Sequence, residues 1–178
     1  MAEERKQEGS MVMEEMMEKY RKLGTPGEPH RVLSSMAGRW NTRIKSWAEP
    51  DKPPTESSGI CEQKMVLDGR FLQQEFTGNM MGTTFNGIGF TGYDNYTGKY
   101  VSTWIDSMGT GILFFEGTSS ADGKTITQEN HHNDPARGPM TWRSVTRIVD
   151  DNTWAFEMYS IYEKGEATKG MEITYTRK

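Results

Sequence analysis

From Arg39 to the C-terminus the chain is cut by turn signals at short intervals: Asp68-Gly69, Asn95 to Gly98, Met108-Gly109, Asp122-Gly123, Asp150 to Asn152 and Lys164-Gly165. Tight hairpin turns need backbone conformations that glycine and asparagine tolerate, so these signals between runs rich in aromatic and β-branched residues mark antiparallel hairpins. The clearest instance is GIGFTGYDNYTGKYVSTWIDSMGTG at 87 to 111, two strands joined by one turn and followed at once by another. Strands are expected over roughly 39 to 47, 57 to 67, 70 to 80, 84 to 94, 99 to 107, 111 to 120, 124 to 131, 139 to 149, 153 to 162 and 169 to 177. Two links, AEPDKPPTE (48 to 56) and NDPARG (133 to 138), are longer, because their prolines supply no ladder donor. An up-and-down sheet of about ten strands curls, and closure removes its edges. The expected fold is all-β, an antiparallel up-and-down barrel over 38 to 178.

The remaining sequence is helical in pattern. Met13, Met16, Met17 and Tyr20 fall on one helical face, with Ser10 placed to cap the start, Gly24 to end it and Pro26 beyond. Glu15 with Lys19 and Glu18 with Lys22 are i,i+4 pairs. A shorter helix is expected over Glu28 to Met36, stopped by Gly38, so 10 to 37 form the N-terminal helices. The polar residues 1 to 9 read as disordered.

The phrases HRVLSSMAGRWN (30 to 41), MVLDGRFLQQEFTGNMMG (65 to 82), FNGIGFTGYDNYTGKYVSTWIDSMGTG (85 to 111) and IVDDNTWAFEMY (148 to 159) resemble the bacterial domain-of-unknown-function family 1579. The resemblance covers most of 30 to 178 and rests on the order and spacing of unusual Trp, Tyr and Gly positions. It implies a calycin-like barrel, related in architecture to lipocalins and fatty-acid-binding proteins, and it implies no activity. The Met-rich first helix and HHNDPARG depart from the family pattern.

Several function classes are disfavoured. A net charge of −4 provides no basic footprint for nucleic acid, and no apolar run approaches bilayer length, so neither nucleic acid nor a membrane is expected as a partner. A single cysteine, Cys61, forms no intrachain disulfide, and the charged opening has no signal-peptide core. The cytoplasm is the expected location. Gly87, Gly89 and Gly92 spell G-x-G-x-x-G, but a strand follows where a phosphate-binding helix would have to open, so the glycines are read as making room beside β-strands. His131, His132 and Asp134 carry ligand chemistry, yet adjacent strand residues point to opposite faces and the pair is read as exposed loop histidines. No cofactor is expected, with haem through one lumen histidine and a metal ion as the alternatives. Cys61 lies mid-strand, where packing is the usual role.

A third constellation concerns ligand binding. Trp142, Ser144, Thr146 and Ile148 share a face with Trp154, Phe156 and Met158, while Arg143, Arg147, Glu157 and Tyr159 share the other; in the strand 99 to 107, Tyr100, Trp104 and Asp106 lie on one face. The candidate ligand-binding residues are Glu75, Tyr100, Trp104, Asp106, Arg143, Glu157 and Tyr159, an Arg with a Tyr being a receiver for a carboxylate head group. The favoured function is binding of a small apolar or amphipathic molecule in the lumen, with the Met-rich helix as an adaptable lid. One alternative is an enzyme using Asp106, Glu75 or Glu157 as a buried acid or base; the other is a filled barrel acting through its surface. The partners compatible with the sequence are a small apolar or amphipathic molecule and, in a homo-oligomer, further copies of the chain.

Overall fold

The computed structural model describes residues 2–80, 82–162 and 165–178, and side chains from Met11 onward. Two helices, α1 (Ala2–Leu23) and α2 (Glu28–Ser35), precede ten strands: β1 (Gly38–Ser46), β2 (Thr55–Val66), β3 (Phe71–Met80), β4 (Thr83–Asp94), β5 (Lys99–Asp106), β6 (Leu113–Ser119), β7 (Thr125–Asp134), β8 (Gly138–Asp150), β9 (Thr153–Tyr162) and β10 (Thr168–Arg177). Each strand pairs antiparallel with its sequence neighbour, and β1 pairs with β10 to close the barrel. All ten expected strands are present.

Turn chemistry explains why the chain reverses where it does. Between β4 and β5, Gly98 takes φ 69° and its N–H donates to Asp94 O at 2.8 Å. The Asp94 side chain accepts from Tyr96 N and Thr97 Oγ1, both at 2.8 Å, and these bonds hold its carboxyl below the usual value. At the turn signal Lys164-Gly165, Lys164 lies outside the described residues.

Two expectations are corrected. The first helix begins at Ala2 rather than at Ser10, so residues 2–9 continue the helix; Ala, Glu, Lys, Arg and Gln are strong helix formers and extend it past the Ser10 cap signal. His131 and His132 lie in β7, not in a loop, because the strand runs on to Asp134 and the turn spans only residues 135–137. Asp134 Oδ1 closes that turn by accepting from Ala136 N and Arg137 N, both at 2.8 Å.

One end of the barrel is plugged by α2. Its Leu33 (1 % exposed), with Met36 just beyond, enters the core beside Trp40. Trp40 Nε1 donates to Met36 O at 2.9 Å, Trp154 meets Trp40 edge-on, and Trp154 stacks on Tyr175 with centroids 3.4 Å apart. Arg177 then fastens the plug: its guanidinium lies over the Trp40 ring and donates to Ala37 O at 3.0 Å and Ser35 O at 3.1 Å, satisfying carbonyls at the end of α2. Among the described residues α1 packs against no other element, and Met13, Met16, Met17 and Tyr20 are all exposed. The helix that covers the barrel is therefore α2, and not the Met-rich α1 expected as a lid.

Candidate functional site in the barrel lumen

Alternation along each strand sends every second side chain inward. In β3 these are Leu72, Gln74 and Phe76; in β5, Ser102, Trp104 and Asp106; in β8, Trp142, Ser144 and Thr146; in β9, Trp154, Phe156 and Met158. They enclose a cavity of about 660 Å³, floored by Leu33 and Met36 and reaching toward the opposite rim at Met80, Met108 and Leu113. Its wall is mainly apolar, with a set of uncharged polar groups at mid-depth.

Those polar groups form two short chains. Gln63 Nε2 donates to Gln74 Oε1 at 3.1 Å. Opposite, Thr91 Oγ1 and Ser102 Oγ lie 3.1 Å apart, Ser102 Oγ donates to Gln128 Oε1 at 2.9 Å, and Ser144 Oγ bonds Gln128 O at 3.4 Å. Gln63, Gln128 and Ser144 are 5 %, 6 % and 5 % exposed, so these bonds stand in for lost water. Three buried atoms of this wall have no partner: Gln63 Oε1, Gln128 Nε2 and Trp154 Nε1.

The expected site residues divide between the two faces. Trp104 and Asp106 line the lumen, with Trp104 Nε1 donating to Asp106 Oδ2 at 3.0 Å and Met108 N donating to Asp106 Oδ1 at 2.9 Å. Tyr100 points inward but is packed at the plugged end against Tyr93, below the cavity. Glu75, Arg143, Glu157 and Tyr159 are on the outer face, and this is a correction: strand alternation that turns Trp142, Ser144, Phe156 and Met158 inward must turn their neighbours outward. There Glu75 is held by Gln73 and Lys64, Arg143 bonds Glu129 at 2.8 Å, and Glu157 is paired with Lys169 and with Arg147. Burial pushes the Glu157 carboxyl up, but the hydrogen bonds and charges of Lys169 and Arg147 outweigh it and hold the group below its usual value. Lys169 also lies over the Tyr159 ring. This is an ion-pair cluster on the barrel wall, not a head-group receiver in the lumen.

Gln63, Gln74 and Gln128 are not among the expected site residues, because glutamine prefers the surface. Alternation was the available signal: Gln63 lies between Cys61 and Met65, and Gln74 between Leu72 and Phe76, all inward positions. Of the two histidines, His131 is exposed, while the inward His132 rests against Trp142 with ring centroids 4.2 Å apart. Among the described residues no three His, Cys, Asp or Glu side chains cluster as metal ligands. No described helix is long and apolar enough to cross a membrane.

No curated protein matches the sequence. The fold is similar to that of Rv2717c from M. tuberculosis, at a TM-score of 0.62 and 16 % identity over 86 % of this chain and 99 % of that one. More distant are a redesigned β barrel (TM-score 0.45, 12 % identity, covering 83 % and 96 %) and EF1p2_mFAP2b bound to DFHBI (TM-score 0.48, 10 % identity, covering 85 % and 100 %). The model of the family described as protein of unknown function DUF1579 matches residues 25–177, and the chain belongs to that family.

Proposed function

We propose that this barrel binds a small, largely apolar molecule in its lumen. The observation that carries the reading is the cavity of about 660 Å³, within the range of roughly 300–1,000 Å³ typical of small-molecule sites. A barrel filled by its own side chains would leave no such space. The catalytic alternative is less well supported, because the one carboxylate among the described lining residues, Asp106, already accepts from Trp104 and Met108. Titration with Nile red, an uncharged apolar dye, tests the reading. Wild-type protein should bind it with a blue-shifted emission, and Met158→Trp, which fills the lumen, should weaken binding by about tenfold or more. Absence of binding, or equal binding by the variant, would overturn it.

A further inference from the structure

We propose, building on lumen binding, that the ligand is an amphipathic cation, an ammonium head on an apolar body, with the head seated between the Trp104 ring and Asp106 at the open end of the barrel. Two observations point there independently. The first is the posture of Trp104. One face of its ring lies on the bare backbone of β4: a Cβ on Gly87 would come within 2.2 Å of Trp104 Cζ2, and one on Gly89 within 2.9 Å of Cε3. The ring lines the lumen, so its other face is turned to the cavity. At the ring edge, Nε1 donates to Asp106 Oδ2 at 3.0 Å. An indole face is the strongest aromatic receiver of a cation, and a carboxylate on the N–H polarises the ring further toward negative charge. Carboxylate and π face thus meet at one corner of the wall. Both side chains are partly exposed and line the cavity, so a ligand in the lumen reaches them. The carboxylate also has acceptor positions left, since the indole and Met108 N occupy one each of about four.

The second observation is that this carboxylate faces the lumen without a counter-charge. Among the described residues Asp106 is the one charged side chain lining the cavity. Its hydrogen bonds come from an indole and a backbone N–H, neither of them cationic. Cations of the same end are engaged elsewhere. His132, inward from β7, packs on Trp142 with ring centroids 4.2 Å apart and is not among the lining residues. Arg137, in the turn from β7 to β8, is exposed and donates to the Tyr162 hydroxyl at 3.0 Å. Arg143, Arg147 and Lys169 of the β8 to β10 wall are paired on the outer face. An ammonium head therefore gains the Asp106 charge and the Trp104 face together, while its apolar body fills the lumen toward Leu33 and Met36. A carboxylate head would lose hydration beside a like charge, and an uncharged head would leave Asp106 unanswered.

Calorimetric titration at neutral pH with octylammonium, octanol and octanoate, which share one chain and differ in the charge of the head, tests the inference. Octylammonium should bind about tenfold or more tighter than octanoate, and severalfold tighter than octanol. Asp106→Asn keeps an acceptor for the indole N–H, and it should bring octylammonium down to the level of octanol while octanol is held as before. Asp51→Asn, which removes the same charge from the exposed link between β1 and β2, should leave all three affinities unchanged. If Asp106→Asn does not fold, the comparison of the three ligands on the wild type decides. Octanol or octanoate binding as tightly as octylammonium would overturn the inference and leave lumen binding standing. Equal weakening of octylammonium by both variants would also overturn it, by assigning the preference to the net charge of the chain. Failure of all three ligands where Nile red binds would remove this inference alone; failure of Nile red as well would remove both readings.

Discussion

The indole of Trp104 lies against the bare backbone of Gly87: a Cβ built on that glycine would sit 2.2 Å from Trp104 Cζ2, and one on Gly89 would sit 2.9 Å from Cε3. The two glycines of β4 directly face Asp106 and Trp104 of β5 in the ladder, so the missing side chains are what let the ring fold down along the wall. The volume they release is taken up by an aromatic ring, and the lumen stays open beside it. Their role in the G-x-G-x-x-G string is steric, with no helix following them.

Gly87→Ala should therefore displace the Trp104 ring toward the cavity and break its bond to Asp106. The expected loss of stability is about 1–3 kcal/mol, typical of overpacking, with a shift in tryptophan emission and weaker Nile red binding. Unchanged emission and binding would show that the ring does not depend on the glycine.

Trp104 and Trp40 should respond differently to truncation. Trp40 is 1 % exposed, bonded to Met36 O and packed edge-on against Trp154, so Trp40→Ala should cost about 3–5 kcal/mol in urea unfolding. Trp104 is half-buried and borders open space, so Trp104→Ala should cost about 1–2 kcal/mol and mainly alter ligand binding. Equal losses would mean that the Trp104 wall is packed as solidly as the plugged end.

The strands were legible because turn residues and alternation are local signals: Asp94 to Gly98 fixes one reversal whatever lies around it. The direction of each face was not. In β9, Glu157 and Phe156 alternate, and nothing local decides between a lumen that hides a charge and an outer wall that pairs it; the partners Lys169 and Arg147 come from β10 and β8. The expected site therefore combines residues of both faces, and of these Trp104 and Asp106 line the cavity. The polar wall of Gln63, Gln74 and Gln128 was hidden for the opposite reason, since a buried glutamine becomes intelligible only when its cross-strand partner is known. The plug was half legible: the α2 pattern predicts a helix, but Arg177, at the far end of the chain, is what ties it down.

Cys61 should be inert toward thiol reagents in the folded protein. It is fully buried between Trp40 and Phe76 in the ladder, and burial, with the nearby Glu62 charge, pushes its thiol up to about 12. The thiolate is the reactive species, so labelling by an aromatic disulfide at mildly alkaline pH should track global unfolding in urea and stay negligible before it. Rapid stoichiometric labelling without denaturant would contradict this placement.

Acid should weaken the plugged end through His30. Its Nδ1 accepts the Gly27 N–H at 3.0 Å at the start of α2, and the ring stands edge-on to Tyr93. Burial lowers its pKa below the ordinary 6.5, a hydrogen bond with the Tyr93 backbone works against this, and the Arg70 charge adds to the lowering. The unfolded chain therefore takes up a proton at His30 at a higher pH than the folded one. Stability is fully present above 6.5 and declines as pH falls through that value, because the slope of stability with pH is positive wherever the unfolded state binds more protons. Protonation also converts the Nδ1 acceptor into a donor and so removes the bond to Gly27. Urea midpoints measured from pH 7.5 down to about pH 5.5 should fall for the wild type. His30→Asn, which keeps an acceptor without a titrating ring, should give a flatter profile over the same window; parallel profiles would assign the acid sensitivity to other groups.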